Sequence, residues 1–361
     1  MKTVNILMMA AGTGGHVFPA LAVSEELTRR GAVIHWLGTE AGMENDLVKP
    51  TGYAFHPIAM QGLRGKGIGR LLKMPVTLVS ATMAAVKIIR SNNIDIVVGF
   101  GGYVSAPGGI AARMTGTPLI IHEQNAIAGM SNRYLAKIAV KVLQAFEDTF
   151  GNSQSNAKLE TVGNPVRNTI TGVAAPALRY DVSDQSPLRL LVVGGSLGAQ
   201  VLNKTVPKAL ALIDKSFSVR HQCGRNNETT TQAAYDSQDL EVHSISVQPF
   251  ISDMADAYNW ADIIVCRAGA LTVTEIQNVG IAAIFVPLPH AVDDHQTANA
   301  RTLTEHKAAI LLPQNELTPE RLKAELLALD RATCLAMAQK GHALANRSAS
   351  TQVAEIIWQA L

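Results

Sequence analysis

The sequence predicts an α/β protein of two doubly wound domains facing a cleft, and three observations carry this. The apolar run Val4 to Ala10 leads through the turn Gly12-Thr13-Gly14-Gly15-His16-Val17-Phe18-Pro19 into Ala20 to Leu27, whose apolar residues recur at helical spacing. About half a chain later the design recurs, with Leu188 to Val193 as a buried-type strand, Gly194-Gly195-Ser196-Leu197-Gly198 as the turn and Val201 to Leu212 as the helix. The length, 361 residues with 47% apolar, exceeds one typical core and is ample for two.

Taken in order, Val33 to Leu37 reads as a second strand ending at Gly38, and Ile94 to Val98 as another, ending in Gly99-Phe100-Gly101-Gly102-Tyr103. Between them lies the basic, glycine-rich loop Gln61 to Arg70, then Leu71-Leu72-Lys73-Met74-Pro75-Val76, then an apolar helical stretch to Ile89 flanked by Lys87 and Arg90. This segment has two compatible readings. One is a core helix behind a loop. The other is a surface patch in which Leu71, Leu72 and Val76 enter a membrane interface while Arg64, Lys66, Arg70 and Lys73 meet anionic lipid heads. Strand Leu119 to Ile121 runs into His122-Glu123-Gln124-Asn125, four polar residues at the end of a strand where open α/β sheets hold their ligands.

The alternation of strands and helices stops around Thr161-Val162-Gly163-Asn164-Pro165-Val166-Arg167, and the polar, aperiodic segment Ala174 to Pro187 suits a domain linker. In the second half, strands are expected at Ser218 to His221, Val242 to Val247, Ile263 to Val265 and Ala282 to Pro287, with a helix at Met254 to Trp260. Ile263 to Val265 leads into Cys266-Arg267-Ala268-Gly269-Ala270-Leu271-Thr272-Val273-Thr274-Glu275, a glycine at a strand end before a helix whose N–H groups and dipole suit an anion. Glu275 can accept two hydrogen bonds from vicinal ribose hydroxyls, or it sits there simply for the dipole. The last helix, Thr351 to Leu361, carries Val353, Ile356, Ile357 and Leu361, enough to dock on a neighbouring domain.

Composition excludes several classes. A formal charge of +2, from 31 basic and 29 acidic residues, gives no reason to expect a nucleic-acid partner. Cys223, Cys266 and Cys334 are scattered without CxxC spacing, which argues against disulfides or zinc and for packing roles in a reducing compartment. The start of the chain faintly resembles a signal peptide, but Asn5 interrupts its short apolar core. No stretch reaches the ~18–20 uninterrupted apolar residues of a bilayer span, so a soluble or peripheral protein is expected. His290 and His295 beside Asp293 and Asp294 match no standard metal-ligand spacing.

Neither glycine turn is a dinucleotide fingerprint, since Val17 and Ser196 occupy positions that need glycine, and no GxxxxGK[ST] sequence exists. A sugar-diphosphate donor fits better. Breaking its sugar–phosphate bond puts negative charge on the β-phosphate, which backbone N–H groups, a helix dipole and an arginine can stabilise without metal. Arg167 and the loops at Ser196 and Gly269 to Thr272 are the candidates, and no Asp-x-Asp pair is present to hold a divalent ion. A base must take the proton of the attacking hydroxyl; His16 and Glu123 are both open.

These motifs, with Gly65-Lys66-Gly67, Gly101 to Ser105, His122 to Asn125, Gly163 to Arg167, Gly194 to Ser196 and Gly269 to Thr272, resemble in order and over nearly the whole chain the bacterial peptidoglycan N-acetylglucosaminyltransferases that make lipid II. The resemblance implies the GT-B fold of two Rossmann-like domains, here 1–165 for acceptor and membrane, 166–345 for the UDP-sugar, and 346–361 as a helix packing back on the first domain. It implies inverting transfer of N-acetylglucosamine from UDP-N-acetylglucosamine to the C4 hydroxyl of undecaprenyl-diphospho-N-acetylmuramyl-pentapeptide, peripherally on the cytoplasmic face of the inner membrane. No cofactor or metal is expected, and the cell-wall and division machinery are the further partners implied. By the same resemblance Ile251 would contact uracil through its backbone, and Arg167, Ser196 and Ala270, Leu271, Thr272, Val273, Thr274 and Glu275 would hold the nucleotide. Gln296, Asn125 and Thr13, Gly14 and Gly15 would hold the donor's sugar and diphosphate; Gly14, Gly15, His16, Tyr103 and Glu123 would face the acceptor. Ala11 stands where the family usually has another glycine, and His295 where a glutamine usually precedes Gln296. Two rival readings share most of these features: transfer to another lipid or natural-product acceptor, and a nucleotide-sugar-binding protein without catalysis.

Overall fold

The computed structural model describes residues 3–60, 68–151, 158–289 and 294–361, with the backbone alone over 68–73, and the chain divides into two units, Met1–Arg167 with Asn346–Leu361, and Asn168–Ala345. Period-two alternation in β1 (Asn5–Met9) sets the layering of the first unit. Ile6 and Met8 point to one face and Leu7 and Met9 to the other, and all four are fully buried. A strand buried on both faces needs helices on both. Leu7 and Met9 pack with Ala81, Ala85, Val86 and Ile89 of the helix Ile68–Ser91 and with Ala111 and Ala112 of the helix Ser105–Thr115. Ile6 and Met8 pack with Val17, Ala20, Val23 and Leu27 of the helix Gly14–Arg29. The helix Ala349–Gln359 closes that second face with Val353, Ala354 and Ile357, and Glu355 pairs with Arg30.

Six further strands complete the sheet: β2 (Val33–Gly38), β3 (Ala54–Pro57), β4 (Ile96–Gly99), β5 (Leu119–Glu123), β6 (Lys141–Gln144) and β7 (Leu159–Thr161), all parallel in the order β3-β2-β1-β4-β5-β6-β7. The order reverses between β1 and β4, whose last residues Met9 and Gly99 are in register. In the second unit β8 (Leu188–Val193), β9 (Phe217–Gln222), β10 (Ser244–Gln248), β11 (Ile263–Cys266), β12 (Ala282–Phe285) and β13 (Ala309–Leu311) form a parallel sheet in the order β10-β9-β8-β11-β12-β13. Its reversal lies between β8 and β11, where Val193 and Cys266 are in register. Both sheets are doubly wound and Rossmann-like.

The structure departs from the sequence reading in two respects. It adds β3, β6, β7 and β13, strands of three or four residues, three of them at sheet edges, too short to show a period. The segment 174–187, expected as a linker, is instead docked on the second unit. Arg179 donates to the carbonyls of Tyr258, Val279 and Gly280, the Tyr180 hydroxyl donates to the Asp262 carbonyl at 2.7 Å, and Arg331 donates to the carbonyls of Asp184, Ser186 and Pro187. Polar side chains that look like linker composition are here the anchors.

Asp262, 1% exposed, ties this layer to the sheet. Its carboxylate accepts from the Arg189 backbone N–H at 2.9 Å and from the Arg189 guanidinium at 2.7 and 3.2 Å, with Arg331 at 3.6 Å. The three cysteines are buried, and burial pushes their thiols up, that of Cys334 to about 12, so they remain protonated packing groups.

Candidate active site

Ligands of open α/β sheets bind beyond the strand ends where the strand order reverses, and both glycine turns lie there. In the first unit the loops after β1 and β4 meet: Gly12, at φ +92°, lies under the Tyr103 ring, so that a Cβ would stand 3.0 Å from Tyr103 Cε1. Gly102, at φ +83°, passes so close to the Ala11 carbonyl that any side chain would strike it. Thr13 then begins the helix Gly14–Arg29 in extended conformation, with no side chain capping the first turn. The N–H groups of Gly14 and Gly15 therefore have no acceptor within the helix and face the loop side, where the helix dipole favours an anion.

Glu44 braces this turn. Fully buried, its carboxylate accepts from the N–H of Gly12 at 3.1 Å, the N–H of Thr39 at 2.9 Å and the Thr39 hydroxyl at 2.7 Å. Thr39 in turn lies 3.3 Å from the Tyr103 hydroxyl. Phe18 fills the inner side, its ring packed on Gly14, and the Arg167 guanidinium stacks over it at 4.5 Å. Arg167 is thus placed beside the first turn of this helix, in the first unit.

His16 sits half-buried on that turn with Nδ1 3.0 Å from the Gln124 side-chain oxygen. Glu123, the other candidate base, is 2% exposed and saturated. One carboxylate oxygen accepts from the Asn125 N–H and the Asn125 amide, both at 3.0 Å; the other accepts from the Gly129 N–H at 3.0 Å and the Asn132 amide at 2.8 Å. With both oxygens occupied, Glu123 is arranged to shape the loop 124–129 and to orient Asn125 rather than to accept a substrate proton. Thr13, Gly14, Gly15, His16, Tyr103, Glu123 and Asn125 therefore share the C-terminal end of one sheet, at β1, β4 and β5.

In the second unit the loop after β8 carries the exposed Ser196. The loop after β11 ends at Gly269, which opens the uncapped helix Ala270–Val279. Arg267 fixes that loop by donating to the carbonyls of Val286 and Pro287 and, at 2.7 Å, to the Gln314 side chain. Ala270, Leu271 and Thr272 present first-turn N–H groups. The side chains of Val273 and Thr274 turn into the core: Val273 is fully buried, and the Thr274 hydroxyl donates to the Ala270 carbonyl at 2.9 Å. Glu275, 5% exposed, accepts from the Tyr258 hydroxyl at 2.9 Å, which aims the carboxylate. Ile251 gives its N–H to Gln222 at 2.9 Å, so a base contacting its backbone would meet the carbonyl. Gln296, in the first turn of the helix His295–Thr304, accepts from the Leu288 N–H at 2.9 Å through its side-chain oxygen.

Sequence reasoning missed Glu44, Phe18, Tyr258 and Gln222 as site-shaping residues. Glu44 reads as an ordinary first-turn acid, and the others as core; only contacts distant in sequence reveal them. Of the expected membrane patch, Arg64 and Lys66 lie outside the described residues, as do the side chains of Arg70, Leu71, Leu72 and Lys73. Val76 is 73% exposed. Val79 and Met83 continue its face of the helix with 63% and 54% exposure, followed by the exposed Lys87 and Arg90. The window Met74–Ser91 is long and apolar enough to cross a membrane, yet Ala81, Ala85, Val86 and Ile89 are buried in the unit's core. Among the described residues no group of three or more His, Cys, Asp or Glu could hold a metal; His290 and Asp293 lie outside them.

Comparison with known proteins places these features in a family. Residues 6–144 match the glycosyltransferase family 28 N-terminal domain and residues 189–356 the glycosyltransferase family 28 C-terminal domain. The UDP-N-acetylglucosamine–N-acetylmuramyl-(pentapeptide) pyrophosphoryl-undecaprenol N-acetylglucosamine transferase of Psychrobacter cryohalolentis is 83% identical over 361 residues, 100% of both chains. The protein of the same name from Acinetobacter baylyi is 48% identical over 99% of this chain and 98% of its own. The crystal structure of Acinetobacter baumannii MurG superposes with a TM-score of 0.85 at 43% identity, covering 99% of each chain. A kitacinnamycin glycotransferase, at 17% identity and a TM-score of 0.71 over 100% of both chains, shares the two-domain GT-B fold alone. On full-length identity, paired domains and fold together, the chain belongs to glycosyltransferase family 28, among its UDP-N-acetylglucosamine–N-acetylmuramyl-(pentapeptide) pyrophosphoryl-undecaprenol N-acetylglucosamine transferases.

Proposed function

We propose that this enzyme transfers N-acetylglucosamine, with inversion, from UDP-N-acetylglucosamine to the C4 hydroxyl of undecaprenyl-diphospho-N-acetylmuramyl-pentapeptide, converting lipid I to lipid II. The observation that carries the mechanism is His16, a titratable ring on an uncapped helix N-terminus, held at Nδ1 by Gln124. Its Nε2 takes the proton of the C4 hydroxyl as that oxygen attacks the sugar's anomeric carbon from the side opposite the diphosphate. The carbon–oxygen bond to the β-phosphate breaks and UDP leaves with the electron pair. The charge it gains meets the N–H groups opening the helix Ala270–Val279, with the Ser196 loop beside them, and needs no metal. Glu275, aimed by Tyr258, takes the ribose hydroxyls, and the Ile251 carbonyl takes the uracil N–H. We assign Gln296 and Asn125 to the donor sugar, Arg167 to the nucleotide, and the Gly14 and Gly15 N–H groups, with Tyr103, to the acceptor's diphosphate.

The test is UDP release by the full-length protein. Release is expected only when UDP-N-acetylglucosamine and a polyprenyl-linked muramyl-pentapeptide acceptor are both present, with no divalent ion added. Equal release from the donor alone makes the enzyme a hydrolase or epimerase, and donor binding without transfer makes it a binding protein.

For location we infer peripheral binding at the cytoplasmic face of the inner membrane, supported by the apolar face Val76, Val79 and Met83 beside Lys87 and Arg90. Cell-wall and division proteins as partners rest on the family resemblance alone. Replacing Val76, Val79 and Met83 together by serine is expected to lower flotation with vesicles containing anionic phosphatidylglycerol, leaving UDP-N-acetylglucosamine binding intact. Unchanged flotation removes this face from the membrane contact.

A further inference from the structure

We propose that Gln124 and His122 are positioning residues that lock the His16 ring in the tautomer protonated at Nδ1, so that its Nε2 lone pair alone faces the acceptor hydroxyl. The inference rests on His16 being the base. It follows from a chain of hydrogen bonds with one self-consistent direction, starting at a group that can only accept.

His122, at the end of β5, is fully buried, and its Nε2 lies 2.9 Å from the Gly163 carbonyl. A carbonyl oxygen has no proton to give, so Nε2 carries the hydrogen. Burial holds the imidazolium down to about 4, so at neutral pH the ring has one proton and Nδ1 is a bare acceptor. Phe100, stacked on the ring at 5.2 Å between centroids, holds it from turning. The Gln124 amide nitrogen sits 3.3 Å from that Nδ1 and also 3.3 Å from the His122 carbonyl, two acceptors that demand an NH₂ group there. This fixes the amide, whose oxygen must then be the atom 3.0 Å from His16 Nδ1. An amide oxygen only accepts, so His16 Nδ1 carries its hydrogen and Nε2 is left as the acceptor.

The side chain of Gln124 is 1% exposed and its backbone carbonyl is held by the Asn164 amide at 3.0 Å, so the relay is braced at both ends. Reversing the amide would set its oxygen against the bare nitrogen of His122, a buried repulsion with no water to relieve it. Without the relay the neutral imidazole would favour hydrogen on Nε2, the wrong atom for a base. On proton transfer His16 becomes the imidazolium, Nδ1–H still donates to Gln124, and the proton on Nε2 later passes to solvent. Glu123 accepts through its own carboxylate from the neighbouring loop, and sits outside this chain of donors.

The experiment is ¹⁵N NMR of the histidine rings in the full chain, together with steady-state kinetics of Gln124→Leu and Gln124→Glu. The His16 ring of the unaltered protein is expected in the Nδ1–H form. Gln124→Leu should convert it to a mixture and lower kcat about 10–100-fold while leaving KM for UDP-N-acetylglucosamine within about twofold. Gln124→Glu keeps an acceptor for His16 Nδ1, and its buried carboxyl, protonated, still donates to His122, so it should retain the Nδ1–H form and more activity than the leucine variant; mere packing predicts the opposite order, since leucine suits a buried site better than a carboxyl group. A His16 ring protonated at Nε2 in the unaltered protein overturns the relay even if neither variant folds. So does a Gln124→Leu enzyme with undiminished kcat. If His16→Ala keeps its turnover, it is the base assignment that fails, whatever the tautomer.

Discussion

His16→Ala is expected to lower kcat by about 10²–10⁴-fold, the usual contribution of a positioned general base. The KM for UDP-N-acetylglucosamine should move far less, because the donor's nucleotide is assigned to the Ser196 loop, Ile251 and the helix opening at Ala270. The measurement is initial-rate UDP release against both substrates. A turnover near that of the unaltered enzyme sinks His16 as base. Glu123 would be a poor successor, because four donors already occupy its oxygens, and the two backbone ones, from Asn125 and Gly129, could be released only by opening the loop that carries them.

The largest stability effect is expected at Asp262, far from this chemistry. Asp262→Ala removes the buried carboxylate that Arg189 grips, leaves the Arg189 N–H without its acceptor, and leaves Arg331 with Asp184, at 3.3 Å, as its remaining carboxylate. Breaking a buried pair in this way typically costs about 3–5 kcal/mol. Arg189 keeps some access to water, its side chain being 30% exposed, which places the cost toward the lower end. At about 2–4 °C per kcal/mol, the melting temperature of the second unit should fall by about 6–12 °C. Calorimetry of the full chain measures it, and a shift below about 2 °C would mean that the pair contributes little.

The central strands of both sheets are legible because a strand covered by helices on both faces must be apolar along its whole length, as Ile6 to Met9 and Leu188 to Val193 are. The edge strands escape because exposure relaxes that demand: in β7, Glu160 and Thr161 face solvent. Glycine turns at the two strand-order reversals are legible for a related reason, since Gly102 sits where a side chain would collide with backbone. What composition cannot show is direction. Ala174 to Pro187 has a linker's residues, but whether Arg179 and Tyr180 wave in water or reach carbonyls about 80–100 positions away is decided only by the fold. The same holds for Glu44, Gln124 and Tyr258, which reach Gly12, His16 and Glu275 in other elements of the fold.

The helix Ala349–Gln359, which seals one face of the first sheet, bears on how the protein is made. Translation delivers Val17, Ala20, Val23 and Leu27 early, but their cover, Val353 to Ile357, emerges only after the whole of 168–345 has left the ribosome. The second unit is one uninterrupted segment, so all of its own residues are available once 345 is synthesised; the first must wait for 346–361 with an apolar flank uncovered. A nascent chain stalled or clipped before residue 346 therefore leaves Val17, Ala20, Val23 and Leu27 without that cover, an apolar surface of the kind that chaperones and proteases act on in unfinished proteins.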